Sequence, residues 1–406
     1  MKHALLLLFS TLIQTFTFAQ CGDRYSKEIF GSVNTTSNIQ YGSALDYQGI
    51  NTNLLFDFYE PQSDSLTERP LIIWIHGGTF VSGTKTDADM VELSQRFAKR
   101  GYVCASINYR LGGNILGDLK AELSKAGIRA VQDAKAMIRF FRNDFINNGN
   151  SYGIDTSQII IGGTSAGGVT ALHVAFLNDI AEGDTDLQTA ISAVGGLEGT
   201  SGNPGFSTKT VGVINLSGAI GDTTYMNDNL NKFVFSVHAD LDATVPYESG
   251  YFKEPFLNTP VLFVYGSKAI QTHANTLTVP NDLYTYNGTN HPVHITQELM
   301  DTTINFIGRK LVTQLKCYNG TPLSTKLTTE HNVSFNVFPN PTNDLINIYN
   351  NANAKVQIFN INGKLVFESK NKSMIRLNNL DKGIYLVRFS NSKTNTSLEM
   401  KKIIVQ

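Results

Sequence analysis

Five residues constrain this chain more than any others: Gly163-Thr164-Ser165-Ala166-Gly167, which follow the β-rich run Gln158-Ile159-Ile160-Ile161 and open a helical stretch from Gly168 to Leu177. A serine on a sharp bend from strand to helix has strained backbone angles, and bulky neighbours would crowd the turn. Glycines two positions before and after it relieve that crowding. The hydroxyl is then expected to project over a sheet at a helix amino terminus, where developing negative charge is stabilised. A glycine-rich loop with a passive serine is the plainer alternative. The strand before and the helix after favour the reactive one.

The surrounding pattern fits a sheet able to hold such a bend. From about Asn38 to Leu315, short β-rich runs alternate with amphipathic helices. The runs are Leu54 to Tyr59, Leu71 to Ile75, Tyr102 to Asn108, Gln158 to Ile161, Val211 to Ile214 and Phe233 to Val237. Several are apolar throughout, as strands covered on both faces should be. The stretch Asp87 to Lys99 reads as a helix stopped by Gly101, and a longer one, Leu119 to Phe145, puts Ile128, Val131, Ala134, Ile138 and Phe141 on one stripe. This alternation predicts an α/β fold over residues 21–317, a mostly parallel sheet flanked by helices.

A second motif, Ile75-His76-Gly77-Gly78-Thr79-Phe80, comes directly off the apolar run Leu71 to Ile75. Acyl transfer builds an oxyanion that needs two or three fixed N–H donors at about 2.7–3.1 Å, and glycines let the backbone approach closely enough to supply them. The expected donors are Gly78, Thr79 and Ala166.

Together these residues resemble the carboxylesterase and lipase branch of the α/β-hydrolase fold, over roughly residues 38–310. Ala105-Ser106-Ile107-Asn108-Tyr109-Arg110 and Val131-Gln132-Asp133-Ala134-Lys135 are further matching segments. One departure is Thr79, where many such loops carry a third glycine or an alanine. The resemblance implies a catalytic order of serine, acid, then histidine, and no cofactor or metal. Asp242 is the expected acid, because His238-Ala239-Asp240-Leu241-Asp242-Ala243-Thr244-Val245-Pro246 resembles the family segment H-G-x-x-D-x-x-V-P, with Ala239 in place of the glycine. Asp240 is its nearest competitor. The base is expected at His291, just past a last strand at Leu283 to Tyr286 and before a helix beginning near His294; His294 is the alternative. His238 is read as serving its loop and His173 as packing, while His273 sits in a polar stretch read as having no strand before it. None of the histidine or acidic spacings makes a zinc site. The implied activity is carboxylic ester hydrolysis through a Ser165-Asp242-His291 triad. Acetyl or feruloyl esters on polysaccharides, short acyl glycerides and polyesters are all open as substrates. A serine peptidase of the same fold, or a non-catalytic binding protein on a hydrolase scaffold, are the alternatives.

The two ends carry addresses. Residues 1–20 combine Lys2 and His3 with the apolar core Ala4 to Ile13 and a polar, small-residue end, which reads as a secretory signal peptide. Cys21 directly after it raises a lipoprotein as the alternative, although Gln20 stands where a small residue is wanted. The 33 basic residues, one of them Lys2, face 34 acidic ones, which gives no basic surplus for nucleic acid. Of the three cysteines, Cys104 lies in an apolar run and reads as a buried thiol, whereas Cys21 and Cys317 bracket the catalytic domain and are open to bridging.

Residues 318–331 read as a linker. From Val333 onward short alternating runs replace helical periodicity, with Asn362-Gly363 as a hairpin signal. Residues 332–406 are therefore expected to form a separate, small all-β domain. Phe338-Pro339-Asn340-Pro341-Thr342-Asn343-Asp344, Gly383-Ile384-Tyr385-Leu386-Val387 and Lys401-Lys402-Ile403-Ile404-Val405 resemble the C-terminal sorting domain of the type IX secretion system of Bacteroidetes. That resemblance implies a small all-β sandwich, export machinery as a partner, and a secreted or outer-membrane surface-attached protein. A substrate-binding β-domain is the alternative, but no row of exposed aromatics supports it.

Overall fold

The computed structural model describes residues 23–114, 117–226, 232–254, 259–292, 294, 296–315, 336–338, 340–349, 354–360, 364–370, 373–391 and 397–406. The expected signal peptide, Cys21, Cys317, residues 318–331 and the expected hairpin at Asn362-Gly363 lie outside them. The chain divides into two units, residues 1–320 and 321–406.

The first unit is built on strand β3 (Arg69–Ile75), whose seven residues are all buried. Its side chains alternate between two apolar layers, as a strand's period of two requires. Leu71, Ile73 and Ile75 join one cluster, which includes helix α2 (Leu119–Asn147) and helix α3 (Ala166–Phe176). Ile72 and Trp74 join the other, with α1 (Ala88–Ala98) and α6 (Gln297–Leu311). From Pro70 to Ile75 an apolar residue stands at every position, as burial on both faces demands. The α2 stripe of Ile128, Val131, Ala134, Ile138 and Phe141 lies in the first cluster, as its spacing predicts.

The eight strands of this sheet run in the order β1 (Val33–Leu45), β2 (Asn51–Pro61), β4 (Val103–Ile107), β3, β5 (Ile154–Thr164), β6 (Gly212–Leu216), β7 (Phe233–Ala239) and β10 (Asn281–Tyr286). From β4 to β10 every pair is parallel; β2 pairs antiparallel with both β1 and β4. The carboxyl ends of β3, β5, β7 and β10 therefore open on one edge, and the loops that leave them carry the predicted site residues. Helix α4 (Thr185–Ala193) follows α3.

Two readings are corrected. A separate antiparallel pair, β8 (Ser249–Glu254) and β9 (Thr259–Tyr265), precedes helix α5 (Ser267–Thr276), so His273 does follow a strand. The last helix begins at Gln297 rather than near His294. Its cap is Thr296, whose side chain accepts the Leu299 N–H, and a capping threonine sets a helix start more firmly than apolar spacing does.

In the second unit β11 (Asn336–Phe338), β12 (Leu345–Tyr349) and β15 (Met374–Arg376) form one antiparallel sheet. The other comprises β14 (Leu365–Lys370), β13 (Ala354–Asn360), β16 (Gly383–Asn391) and β17 (Ser397–Val405), also antiparallel. Ile346 and Ile375 of the first sheet share a buried cluster with Val356, Ile358, Val387, Phe389 and Ile403 of the second, which makes this a small sandwich. Among the described residues no helix is long and apolar enough to cross a membrane.

Candidate active site

Ser165 follows β5 and caps α3 with φ 54° and ψ −116°, a conformation rarely taken by a residue with a side chain, and its N–H donates to Leu216 O at 2.8 Å. The flanking glycines do more than relieve the serine. A Cβ on Gly167 would lie 1.9 Å from Ile75 O, and one on Gly163 would lie 2.5 Å from the Gly167 carbonyl carbon. The amino end of α3 thus packs directly on the end of β3, where only hydrogen fits. Replacing Gly167 with alanine is expected to cost about 1–3 kcal/mol in urea unfolding and roughly 10²-fold in kcat/KM, because the serine would be displaced by a fraction of an ångström. A soluble Gly167→Ala protein with wild-type stability and rate would refute this packing.

Three of the predicted residues meet in a line. Ser165 Oγ lies 2.8 Å from His291 Nε2, and His291 Nδ1 lies 2.6 Å from Asp242 Oδ2. Since the ionised carboxylate can only accept, Nδ1 carries the hydrogen and Nε2 presents its lone pair to the serine hydroxyl. Asp242 leaves the loop after β7, its Oδ1 accepting the N–H groups of Thr244 at 2.8 Å and Val245 at 3.0 Å. Burial pushes its carboxyl pKa up, but hydrogen bonds from His238 and His291 outweigh burial and hold it down at about 2.

The competing residues lie elsewhere. Asp240 Oδ1 accepts the Gly288 N–H at 2.9 Å and ties the Asp242 loop to the turn after β10. His294 is buried below the serine, with Nε2 3.1 Å from both Thr164 Oγ1 and Asp89 Oδ2. Burial tends to raise the Asp89 carboxyl, but His294, the Thr164 hydroxyl and the Met90 N–H together hold it below its ordinary range. His173 donates from Nδ1 to Val169 O at 2.8 Å and accepts the Gly221 N–H at Nε2, while burial lowers its pKa, so it packs as a neutral ring.

The loop after β3 turns sharply, with Gly78, Thr79 and Phe80 at φ 101°, 54° and 64°. Gly78 O accepts the N–H of both Val81 and Ser82 at 3.0 Å, and a Cβ on Gly78 would lie 2.2 Å from Ser82 O. Among the described residues the N–H groups of Gly78, Thr79 and Ala166 donate to no other group. Sequence reasoning missed what braces this loop. The Tyr109 hydroxyl reaches His76 O and Gly77 O, both at 3.2 Å, while its ring stacks on His76 at 4.3 Å. The only signal was the family-like segment containing Tyr109. A cavity of about 570 Å³ opens beside Ser165, His291 and Thr79, its far wall formed by Asp87, Asp89 and Glu92.

This sheet, with a serine at the β5–α3 bend and an aspartate and a histidine on later loops, is that of an α/β hydrolase. Residues 56–201 match the BD-FAE family model, and residues 336–406 match the secretion system C-terminal sorting domain. Residues 56–201 are thus similar to that family, and the carboxyl end is similar to a sorting domain. The first match holds Ser165 and the Gly78 loop and stops before Asp242 and His291.

Among curated proteins, a probable cholinesterase of Acanthamoeba polyphaga mimivirus is 25% identical over 173 residues, covering 38% of this chain and 29% of the relative. Carboxylesterase 3B of Mus musculus is 30% identical over 132 residues, covering 32% of this chain and 21% of the relative. The chain thus spans under a third of the length of these relatives. The apo form of Thermogutta terrifontis esterase 2 superposes with 72% of this chain and 97% of its own, at 18% identity and a TM-score of 0.48.

Proposed function

We propose that the chain is a secreted serine carboxylic ester hydrolase that works through an acyl-enzyme on Ser165. The observation that carries this reading is the continuous line of Ser165 Oγ, His291 and Asp242 at 2.8 and 2.6 Å. As Oγ attacks the ester carbonyl carbon, its proton passes to His291 Nε2, and Asp242 stabilises the imidazolium and holds its tautomer. The carbonyl oxygen becomes an oxyanion facing the N–H groups of Gly78, Thr79 and Ala166, which the loop and the helix start hold in place beforehand. Collapse of this intermediate expels the alcohol, which takes the proton from Nε2. Water, deprotonated by the same nitrogen, then attacks the acyl-serine and releases the acid. Every proton is returned, and no cofactor enters.

The test is a rate panel of p-nitrophenyl esters from acetyl to palmitoyl, with methyl ferulate and a soluble polyester fragment, beside peptide anilides and a fluorophosphonate probe. Ester turnover with labelling of Ser165 supports the proposal. Turnover confined to anilides would instead identify a peptidase, and an unlabelled, inactive protein a binding module.

For export, the sorting-domain match supports the type IX machinery as the partner of residues 332–406. Deleting those residues is expected to leave ester turnover within about twofold of the full chain, since the hydrolase core lies within residues 1–320. In a host with that secretion system the shortened protein should remain cell-associated, as fractionation and activity staining would read. Release at the wild-type level would rule out the sorting role.

A further inference from the structure

Asp242 faces a second histidine, which the proposed mechanism does not use. His238 Nε2 lies 3.3 Å from Asp242 Oδ2, the same oxygen that accepts the His291 Nδ1–H, and 3.1 Å from Val245 O. A lone pair at Nε2 would be repelled by both oxygens, so that nitrogen carries a hydrogen.

The other side of the ring agrees. Asn215 Oδ1 accepts the Gly218 N–H at 2.9 Å, which turns its Nδ2 towards Ser267 Oγ at 3.0 Å. Ser267 accepts there and directs its own hydrogen to His238 Nδ1, 2.7 Å away. His238, Ser267 and Asn215 are all fully buried, so the protein itself fixes these roles. The groups that α5 and β6 set against this network, Ser267 and Asn215, are uncharged. Tyr247 meets the His238 ring edge-on at 5.7 Å, and the ionisable groups on Asp242 itself are His238 and His291.

We propose that His238 is a positioning residue for the Ser165–His291–Asp242 line, sharing Asp242 Oδ2 with His291 and thereby setting how strongly that oxygen holds the His291 proton. The proposal rests on the esterase reading. Two N–H groups on one carboxylate oxygen divide its negative charge between them. Without the His238 hydrogen, more of that charge faces His291, the imidazolium is stabilised, and His291 protonates at higher pH. Protonated His291 cannot accept the serine proton, so the acid limb of kcat/KM moves up.

The experiment is the pH profile of kcat/KM for a short p-nitrophenyl ester, run on the full chain and two variants. His238→Asn carries an amide that extends only to the Nδ1 position, keeping a partner for Ser267 and losing the donor to Asp242. Its acid limb should rise by roughly half a unit to one unit. His238→Gln reaches the Nε2 position and should keep the wild-type limb. A loss of rate in both variants, with neither limb moved, would mean that the ring only fills space, and would overturn the proposal. If His238→Asn does not fold, histidine ring nitrogen shifts of the wild-type protein decide: a protonated Nδ1 with a bare Nε2 on His238 overturns it, and the reverse supports it. Absence of ester turnover and of Ser165 labelling in the wild type would sink the esterase reading instead, a different result from an active enzyme with immobile limbs.

Discussion

Ser165→Ala is expected to lower kcat on a p-nitrophenyl ester by roughly 10⁴- to 10⁶-fold and to abolish fluorophosphonate labelling, with the fold intact. The size follows from what is removed. Without Oγ no acyl-enzyme forms, and the residual rate comes from binding and the amide donors alone. The fold should tolerate the change because alanine keeps the Cβ, and the strained φ of 54° is common to both residues. Circular dichroism and the thermal midpoint should therefore stay near wild type while activity collapses.

Asp242→Asn provides the companion test. An amide nitrogen facing His291 Nδ1 would turn the ring to the opposite tautomer and place a hydrogen where the serine proton must arrive, costing about 10⁴-fold. Because the three groups act as one unit, the double variant should be no slower than Ser165→Ala alone. Additive losses would mean that Asp242 acts outside this line. Asp242 stays ionised down to about pH 2, so the rate should fall on acidification well before this carboxylate titrates. Its depressed pKa also adds stability at pH values above the ordinary carboxylate range, and that stability is lost as pH falls through about 2.

The parts of this architecture legible in the sequence are those written in contiguous residues. Leu71-Ile72-Ile73-Trp74-Ile75 announces a strand buried on both faces, because each side chain has an apolar layer to enter. Gly163 to Gly167 announces the bend because glycine is the residue that fits there, although the reason proved to be the Ile75 carbonyl rather than the serine alone. Asp242 was distinguishable from Asp240 only through the surrounding family-like segment.

Other features depend on partners that are distant in sequence. Ser267, which orients His238, lies 29 residues beyond it on α5, and no local pattern joins the two. The β8–β9 pair escaped notice because Thr259, Pro260 and Phe263 are exposed, so the run lacks the two-sided apolar signature of the main sheet. Helix α6 starts where Thr296 caps it, a side-chain event that apolar spacing does not encode.

Asp133→Ala is expected to cost about 3–5 kcal/mol of folding stability, the largest stability effect predicted here. Asp133 is fully buried and holds Arg110 through three groups: its Oδ2 accepts the Arg110 backbone N–H at 2.8 Å, its oxygens accept Nε at 2.9–3.0 Å, and Oδ1 accepts Nη2 at 2.7 Å. Oδ1 also accepts the Ser201 hydroxyl at 2.6 Å. Removing the carboxylate would leave the guanidinium with Leu45 O and Gln132 Oε1 but without its counter-ion, and a backbone N–H and a hydroxyl without this acceptor; the stranded buried cation dominates that sum.

The same arrangement predicts an asymmetry. Replacing both partners, as in Arg110→Met with Asp133→Leu, leaves no uncompensated charge and should cost less than Asp133→Ala alone. Urea unfolding of the three proteins measures this directly. A loss under about 1 kcal/mol for Asp133→Ala would show that water reaches Arg110 and solvates it in place of the carboxylate. The consequence should extend to catalysis, because Gly112, two residues beyond Arg110, donates its N–H to Phe80 O at 2.8 Å at the end of the loop bearing Gly78 and Thr79. Loosening Arg110 therefore loosens the amide donors, and kcat should fall together with stability even though Asp133 touches no reacting atom.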